Sequence, residues 1–219
     1  MLFFTSKNFC IRLLTIATLC LAQTIWGNDC QTPCSESVHN VLKSASDTIT
    51  DNIKNSKKLQ KTDPKKFHAT IEKTTQDVLL PIIDVDNMIK HIIGRYHWKM
   101  ASKSEQERFY KLFEQVLLKE YTVFLLQTHD SKIVFQKSRM SKDQEYVNIN
   151  ASANMGNDKA INIVFYTRCT CQAPAKWQVI DITVDNMSYL DQYRLKYAAT
   201  VRNKGLRGLN NKLEDSIKA

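Results

Sequence analysis

The stretch that decides the fold runs from Glu145 to Thr170 and reads EYVNINASANMGNDKAINIVFYTRCT. Apolar and polar side chains alternate through both of its halves, which is the pattern of strands with one buried face. The apolar residues that share a face within each half are Val147, Ile149 and Ala151, followed by Ile161, Ile163 and Phe165. Asn154-Met155-Gly156-Asn157-Asp158, between the halves, is typical of a hairpin turn. The stretch therefore predicts an antiparallel hairpin.

A further strand and a series of helices surround this hairpin in the sequence. Trp177–Val184 has strand character, whereas apolar residues recur at helical spacing through the first half of the chain and near its end. The first predicted helix covers 37–57, and the second begins at Asp63-Pro64 and ends at Pro81. A short helix follows, capped by Asp84 or Asp86 and ended by Gly94. A long helix then begins with a capping box at Ser102, and a last helix is capped by Ser188 and interrupted at Gly205 and Gly208. Lysine-rich 54–66 is interpreted as a solvated loop or helix end. The pattern predicts an α+β fold in which several helices wrap a twisted antiparallel sheet.

The N-terminus has the pattern of a secretory signal peptide. Lys7 and Arg12 precede a short apolar run, 13–22, that has fewer than the roughly 20 residues a spanning helix needs. We predict a signal peptide over 1–27, cleaved after Ala22 or Gly27, and a single domain over 28–219. An uncleaved membrane anchor and a lipoprotein modified at Cys20 are the weaker alternatives. No later stretch of the sequence is long and apolar enough to span a bilayer.

The charge of the chain suits an anionic partner. The formal net charge is +9, and it falls to +7 without 1–27, because that segment carries Lys7 and Arg12 and no acidic residue. Such a protein is attracted to anionic membrane surfaces and lipid head groups. Nucleic acid would also suit the charge, but exported proteins rarely meet it, so no nucleic-acid partner is expected. A basic surface without a specific use is the plainer interpretation.

Four cysteines follow the predicted leader: Cys30, Cys34, Cys169 and Cys171. In an oxidising compartment disulfides are the expected state, and four cysteines allow three pairings. Cys169 and Cys171 lie two apart on a strand and point to one face, which disfavours a bond between them. We favour bridges from the N-terminal pair to the strand pair. A zinc site built from all four thiolates is the alternative, although Cys-x-Cys spacing is tight for a structural zinc.

Signatures of catalysis are weak. No Gly-x-Ser-x-Gly, phosphate-loop or dinucleotide-binding motif is present, and the chain has 5 glycines. His91 and His97 do not share a metal-binding spacing with a carboxylate, so no metal site is predicted beyond the cysteine alternative. Asp181 lies within an otherwise apolar strand and could act as a general base, but a hydrogen-bonded structural acid is the favoured interpretation. The protein is therefore predicted not to be an enzyme.

Two long blocks carry a family resemblance. Asp86–Tyr121 reads DNMIKHIIGRYHWKMASKSEQERFYKLFEQVLLKEY, and Trp177–Leu213 reads WQVIDITVDNMSYLDQYRLKYAATVRNKGLRGLNNKL. Their order, after Pro81, resembles the MlaC (toluene-tolerance) family of periplasmic phospholipid-binding proteins, over roughly 71–213. Asn186 replaces a glycine usual in the family, but Asn tolerates the left-handed backbone that the turn requires. One extra residue within 94–101 leaves the role of His97 open.

The resemblance implies a function and a set of partners. It implies a monomeric phospholipid carrier that shields acyl tails in an apolar pocket between sheet and helices, with phospholipid as cargo and no cofactor. It further implies transport in the periplasm between an inner-membrane ABC-type transporter with an MCE-domain subunit and an outer-membrane lipoprotein complex, which maintains the lipid asymmetry of the outer membrane. A small-molecule enzyme that uses Asp181 on a cone-shaped α+β scaffold, and a ligand-free envelope adaptor, are the competing hypotheses.

On this hypothesis the pocket is lined by one stripe of the long helix, by the short helix before it and by one sheet face. The predicted lipid-binding residues are Ile89, Ile93, Phe109, Phe113, Leu117, Tyr121, Val147, Ile149, Ile163, Phe165, Val179, Ile182 and Tyr189. Val179 and Ile182 have opposite parity on a regular strand, so both are included to cover either face. Arg95, Lys99 and Arg194 are predicted to contact the head group or a partner. The apolar stripes alone would equally suit a solid core.

Overall fold

The computed structural model describes residues 34, 37–128, 131, 133–136, 139–140, 145–154, 160–170 and 175–218. It confirms the α+β class, with helices packed on one face of an antiparallel sheet. The helices are α1 (Val38–Ser56), α2 (Leu59–Thr62), α3 (Pro64–Thr74), α4 (Val85–Ile93), α5 (Arg95–Met100), α6 (Lys103–Thr128) and α7 (Tyr189–Lys218). The strands are β1 (Ile133–Phe135), β2 (Arg139–Met140), β3 (Tyr146–Asn154), β4 (Ala160–Cys169), β5 (Trp177–Val184) and β6 (Met187–Ser188).

The predicted helix starts are confirmed by their capping hydrogen bonds. Asp63 accepts from the Lys66 N–H at 3.0 Å, with Pro64 in the first helical turn. Asp84, and not Asp86, caps α4 by accepting from the Asn87 N–H at 3.0 Å. The predicted capping box of α6 forms, because the N–H of Ser102 donates to the side chain of Glu105. The predicted cap of α7 also forms, because the N–H of Asp191 donates to the hydroxyl of Ser188.

Three segments differ from the predicted helices. The helix that opens at Asp63 was expected to end at Pro81, but it changes into a π-helical turn, Thr75–Leu79, and then a 3₁₀ turn, Leu80–Ile82. Thr75 lies fully buried there, and its hydroxyl donates to the Ile71 carbonyl and accepts from Thr122 of α6. The lysine-rich stretch 54–66 contains the single turn of α2. The short helix α5 lies within 94–101, the segment with one residue more than the family pattern.

The sheet has the order β1-β3-β4-β5-β6, with β2 also paired to β3, and all its pairs are antiparallel. The predicted hairpin is confirmed by the β3–β4 register, in which Ile149 lies opposite Phe165. The tip of this hairpin, 155–159, lies outside the described residues. The β5–β6 turn holds Asp185 and Asn186 at φ +47° and +66°. Asn186 therefore adopts the left-handed backbone that its replacement of glycine requires.

A β-bulge settles the face on which Val179 and Ile182 lie. Tyr166 pairs with Asp181, but its neighbour Thr167 pairs with Val179, so one residue of β5 is left without a partner across the strand. The extra residue reverses the alternation along β5. Val179 and Ile182 consequently share the face that carries Phe165 and meets the helices.

Gly205 kinks α7, but Gly208 does not. Gly205 adopts φ +62° and ψ −171°, which breaks the helical path between the two parts of α7. The predicted interruption at Gly208 is wrong, because Gly208 is helical and continues the second part. A Cβ at Gly208 would lie 2.3 Å from the Cβ of Lys204, so the kink leaves no room for a side chain there.

A disulfide joins Cys34, just before α1, to Cys169 at the end of β4. It confirms a bridge from the N-terminal cysteine pair to the strand pair. The zinc alternative is wrong, because two of the four proposed thiolate ligands are bonded to each other. Cys30, Cys171 and the predicted signal peptide lie outside the described residues. Within the described residues, no helix has both the length and the apolar character needed to cross a membrane.

Candidate ligand-binding cavity

An apolar cavity of about 180 Å³ lies between α1, α6 and the helix-facing side of the sheet. Its walls come from α1, the π-helical turn, α6, strands β1, β3, β4 and β5, and the first residue of α7. The lining residues are Ser46, Ile49, Thr50, Ile53, Leu79, Glu120, Tyr121, Phe124, Leu125, Ser131, Ile133, Ala153, Ile161, Ile163, Phe165, Ile182, Val184 and Tyr189.

The sheet wall follows from the alternation along β4 and its neighbours. Ile163 and Phe165 point to the helices and pair across the β4–β5 ladder with Val184 and Ile182. On the other side of β4, Ala153 of β3 lies opposite Ile161 and leaves space where a larger side chain would fill it. Branched and aromatic side chains therefore surround a gap that a small residue keeps open.

The helix wall comes from α1 and the last two turns of α6. Ile49 and Ile53 lie one turn apart on the same face of α1, and Tyr121 and Leu125 have the same spacing on α6. Ile53 also packs against Phe67 of α3. The helix α1 therefore covers the cavity as a roof.

Tyrosines and one carboxylate supply polar groups at one side of the cavity. Glu120 accepts hydrogen bonds from the hydroxyl of Tyr193 and, at 3.0 Å, from Nζ of Lys196. Burial raises the pKa of Tyr121 and of Tyr193 above the ordinary value, and the neighbouring Glu120 adds to both effects. Burial and Glu120 likewise raise the pKa of Tyr189. These hydroxyls therefore stay neutral near pH 7.

Asp181 is a structural acid, as favoured from the sequence. Its oxygens accept from the N–H of Ile182 at 2.8 Å, from the N–H of Leu190 at 3.1 Å and from the hydroxyl of Ser188 at 2.7 Å. The carboxylate thus ties β5 to the start of α7. A role as general base is disfavoured, because Asp181 does not line the cavity and its carboxylate accepts three hydrogen bonds within the protein.

Five of the predicted lipid-binding residues line the cavity: Tyr121, Ile163, Phe165, Ile182 and Tyr189. The other eight lie in packed clusters beside it. Between α4, α6 and α7 these are Ile89, Ile93, Phe109, Phe113 and Leu117. Between the start of α1 and the sheet they are Val147, Ile149 and Val179. The apolar stripe of α6 thus serves two purposes, because its first part packs against α4 and α7 and its last part faces the cavity.

The predicted head-group cations lie away from the cavity walls. Arg95 and Lys99 are exposed on α5, which packs against α4 and α7, and Arg194 is exposed on α7. None of the three lines the cavity. In the described part of the chain, Lys196, two positions after Arg194, pairs with the lining residue Glu120 at 3.0 Å, and no motif in the sequence pointed to it.

The sequence predictions missed the contribution of α1. Its apolar face was recognised, but amphipathic spacing does not show whether a helix covers a filled core or a gap. Phe124 and Leu125 of α6 were likewise part of the recognised stripe without being assigned to the cavity.

In the described part of the chain, no group of three metal-ligating side chains comes together.

Comparison with known proteins identifies the family. The sequence matches the family model described as "MlaC protein" over residues 43–215. It is 19% identical to the "Intermembrane phospholipid transport system binding protein MlaC" of Haemophilus influenzae, over 97% of this chain and 92% of that protein. It is 22% identical to the "Toluene tolerance protein ttg2D" of Pseudomonas putida, over 80% of this chain and 77% of that one.

A solved structure shares the fold. The phospholipid-binding protein from Ralstonia solanacearum, determined in complex with a phospholipid, aligns with a TM-score of 0.71 at 18% identity. The alignment covers 84% of this chain and 98% of that one, so the helices and the sheet recur together. Because the family model spans well over half of the sequence and the fold agrees, the chain belongs to the MlaC family.

Proposed function

We propose that this protein is a periplasmic phospholipid carrier that shields acyl tails during transport between the inner and outer membranes. The observation that carries the proposal is the apolar cavity beneath α1, in a chain of the MlaC family. Its relatives are named for phospholipid transport and toluene tolerance, and the structural neighbour holds a phospholipid.

The energetics explain why such a cavity is needed. Each methylene costs about 0.8 kcal/mol to expose to water, so two acyl chains with about 30 methylenes cost on the order of 20 kcal/mol. An unaided phospholipid therefore leaves a bilayer very slowly. A protein that lines the chains with apolar side chains removes most of that cost, and weak polar contacts leave the lipid free to depart.

The cavity must widen to admit acyl chains. Its volume of about 180 Å³ is close to that of an engineered cavity of about 150 Å³ that holds benzene, far below the volume of two lipid tails. We expect α1 to be the wall that moves. Its ends are held, by Val38 and Leu42 against the sheet and by Ile53 against α3, and the residues between them that line the cavity are Ser46, Ile49 and Thr50.

We assign acyl-chain contact to the residues that line the cavity, including Tyr121, Ile163, Phe165, Ile182 and Tyr189. The eight predicted residues in the packed clusters are assigned to supporting the walls. Arg95, Lys99 and Arg194 become candidates for contact with a partner protein.

The cellular setting completes the proposal. Residues 1–27 would direct export, and 28–219 would act as a monomeric carrier with phospholipid as cargo, without a cofactor and without catalysis. The Cys34–Cys169 disulfide supports an oxidising compartment. The proposed partners are an inner-membrane ABC-type transporter with an MCE-domain subunit and an outer-membrane lipoprotein complex.

The test uses a cavity-filling variant and a matched control. Protein purified from periplasm should release phospholipid on organic extraction, quantified by mass spectrometry. Ala153→Phe fills the gap beside Ile161, so it should lower the lipid content per folded molecule severalfold. Ser152→Phe introduces the same side chain on the opposite face of β3 and should leave the lipid content unchanged. Folded wild-type protein without any lipid would contradict the carrier function.

A further inference from the structure

One acidic side chain lines the mainly apolar cavity in the described part of the chain, and it is Glu120 of α6. Its side chain is 40% exposed. A residue that both lines the cavity and reaches solvent lies at the opening, where the polar end of a lipid would sit once its tails are inside. The adjacent residue, Tyr121, is buried and marks the inner side of the same turn.

Glu120 is held in place by α7. Its Oε1 accepts from Nζ of Lys196 at 3.0 Å, and its Oε2 accepts from the hydroxyl of Tyr193. Lys196 lies over the rings of Tyr193 and Tyr197, with Nζ 5.7 Å from each centroid. The opening therefore carries one negative and one positive group in fixed relative positions.

Both groups retain hydrogen-bonding capacity. A carboxylate offers about four acceptor positions, and Glu120 uses two of them within the protein. An ammonium offers three donors, and one donor of Lys196 is directed at Glu120. Tyr189, which lines the cavity close to Glu120, adds a neutral hydroxyl to the same opening.

We propose that Glu120 and Lys196 form the head-group site and select a zwitterionic aminophospholipid, whose ammonium group binds Glu120 and whose phosphate binds Lys196. This inference rests on the proposed carrier function. An ethanolamine head group carries both charges and matches the pair. A glycerol head group brings the phosphate without the amine, so its phosphate can bind Lys196 but Glu120 gains no cationic partner and repels that phosphate.

The size of the selection follows from Coulomb's law. Two unit charges about 6 Å apart in a dielectric near that of water interact strongly enough to change an affinity ratio roughly threefold. Removing either member of the pair should therefore shift head-group preference by about that factor. The two shifts should have opposite signs, which no general loss of structure would produce.

The experiment measures head-group preference directly. Delipidated full-length mature protein is incubated with vesicles of equimolar phosphatidylethanolamine and phosphatidylglycerol, reisolated and extracted, and the ratio of the two bound lipids is read by mass spectrometry. Glu120→Gln should raise the bound ratio of phosphatidylglycerol to phosphatidylethanolamine roughly threefold, because Lys196 is left uncompensated. Lys196→Gln should lower the same ratio roughly threefold, because Glu120 is left uncompensated.

Glu214→Gln is the matched control. Glu214 pairs with Arg108 and Lys218 elsewhere on the helices, and its side chain is 37% exposed, so the variant makes the same charge change away from the cavity. The bound ratio should stay at the wild-type value. An equal shift in this control would overturn the site, since the net charge of the protein would then explain the preference.

The remaining outcomes separate the site from the carrier function. Normal lipid occupancy with an unchanged ratio in both Glu120→Gln and Lys196→Gln overturns the head-group site and leaves the carrier function standing. Wild-type protein that takes up no lipid overturns the carrier function and the site with it. Melting curves of each variant confirm that the compared proteins are folded.

Discussion

At the scale of single residues, Glu105 links the stability of α6 to pH. Hydrogen bonds from the N–H and hydroxyl of Ser102, and then from Arg207, lower the pKa of Glu105 below its ordinary value of 4.5. Its ionised form is thus favoured by folding. The resulting stability is present above the ordinary pKa and is lost as the pH falls through the lowered one.

We expect Glu105→Gln to lower the melting temperature near neutral pH and to lose this effect in acid. The difference from the wild type should shrink as the pH falls below the ordinary pKa of 4.5 and through the lowered pKa of Glu105. Thermal melts followed by circular dichroism across this range measure it. Glu107→Gln is the control, because it makes the same charge change on the exposed face of the same helix and leaves the hydrogen bonds of Glu105 intact. A pH-independent difference at Glu105 would contradict the assignment.

The backbone conformation at position 205 is one that favours glycine. Its φ of +62° with ψ of −171° is open to glycine and strained for other residues, and nothing lies within 4 Å of a Cβ built there. Gly205→Ala should therefore cost about 1–3 kcal/mol of unfolding free energy from strain alone. Urea denaturation measures it. Lys204→Ala, at the exposed neighbouring position, is the control. Equal stability of the two variants would show that alanine is not strained at position 205.

At the scale of elements, the disulfide anchors the start of α1 to the end of β4. Removing it in the double variant Cys34→Ser/Cys169→Ser should cost about 2–4 kcal/mol, because the closed loop no longer restricts the unfolded chain. Hydrogen exchange should speed up in the first turns of α1 and stay unchanged in α6.

Ser37→Ala tests the same helix start without touching the disulfide. Ser37 occupies the N-cap position of α1 but makes no capping hydrogen bond with its side chain. Its replacement should therefore change stability little. If α1 exchanges equally fast in the intact protein and in the cysteine variant, then the anchor does not restrain the roof of the cavity.

At the scale of the whole molecule, the packed cluster between α4, α6 and α7 supports the fold, whereas the cavity wall contacts the lipid. Truncating one phenylalanine in each region to alanine distinguishes the two roles. Phe113 is fully buried between the rings of Phe109 and Tyr193, so Phe113→Ala should cost about 3–5 kcal/mol. Lipid content per folded molecule should stay the same. Phe165→Ala, in the cavity wall, should cost less stability and lower the lipid content, measured by denaturation and lipid extraction. Loss of lipid from folded Phe113→Ala would contradict the division.

The sequence predicts best the features that depend on near neighbours. The caps at Asp63, Asp84 and Ser102 follow from a side chain and an N–H three residues later, so a short window contains the whole interaction. The alternation through β3 and β4 is equally local. These patterns sufficed for the fold class, the helix starts and the order of the hairpin strands.

Features set by contacts between distant segments were not predictable in the same way. The bulge at the β4–β5 pairing depends on register across two strands, and it placed Val179 and Ile182 on one face against their parity. The π-helical turn begins at Thr75, whose hydroxyl accepts a hydrogen bond from Thr122, 47 positions later in the chain. Whether Leu117 or Leu125 borders a gap depends on what α4 and α1 place opposite each, which helical spacing does not encode.

The link between Cys34 and Cys169 also bears on the order in which cysteines can pair. The two residues are 135 positions apart, so in a chain exported from its N-terminus Cys34 reaches an oxidising compartment before Cys169 does. Cys30 is made before either, which leaves a local Cys30–Cys34 bond as the first pairing open to Cys34 in an oxidising compartment. From that pairing the native bond is reached by thiol–disulfide exchange, so we expect a disulfide isomerase to raise the yield of the Cys34–Cys169 bond when reduced protein is refolded.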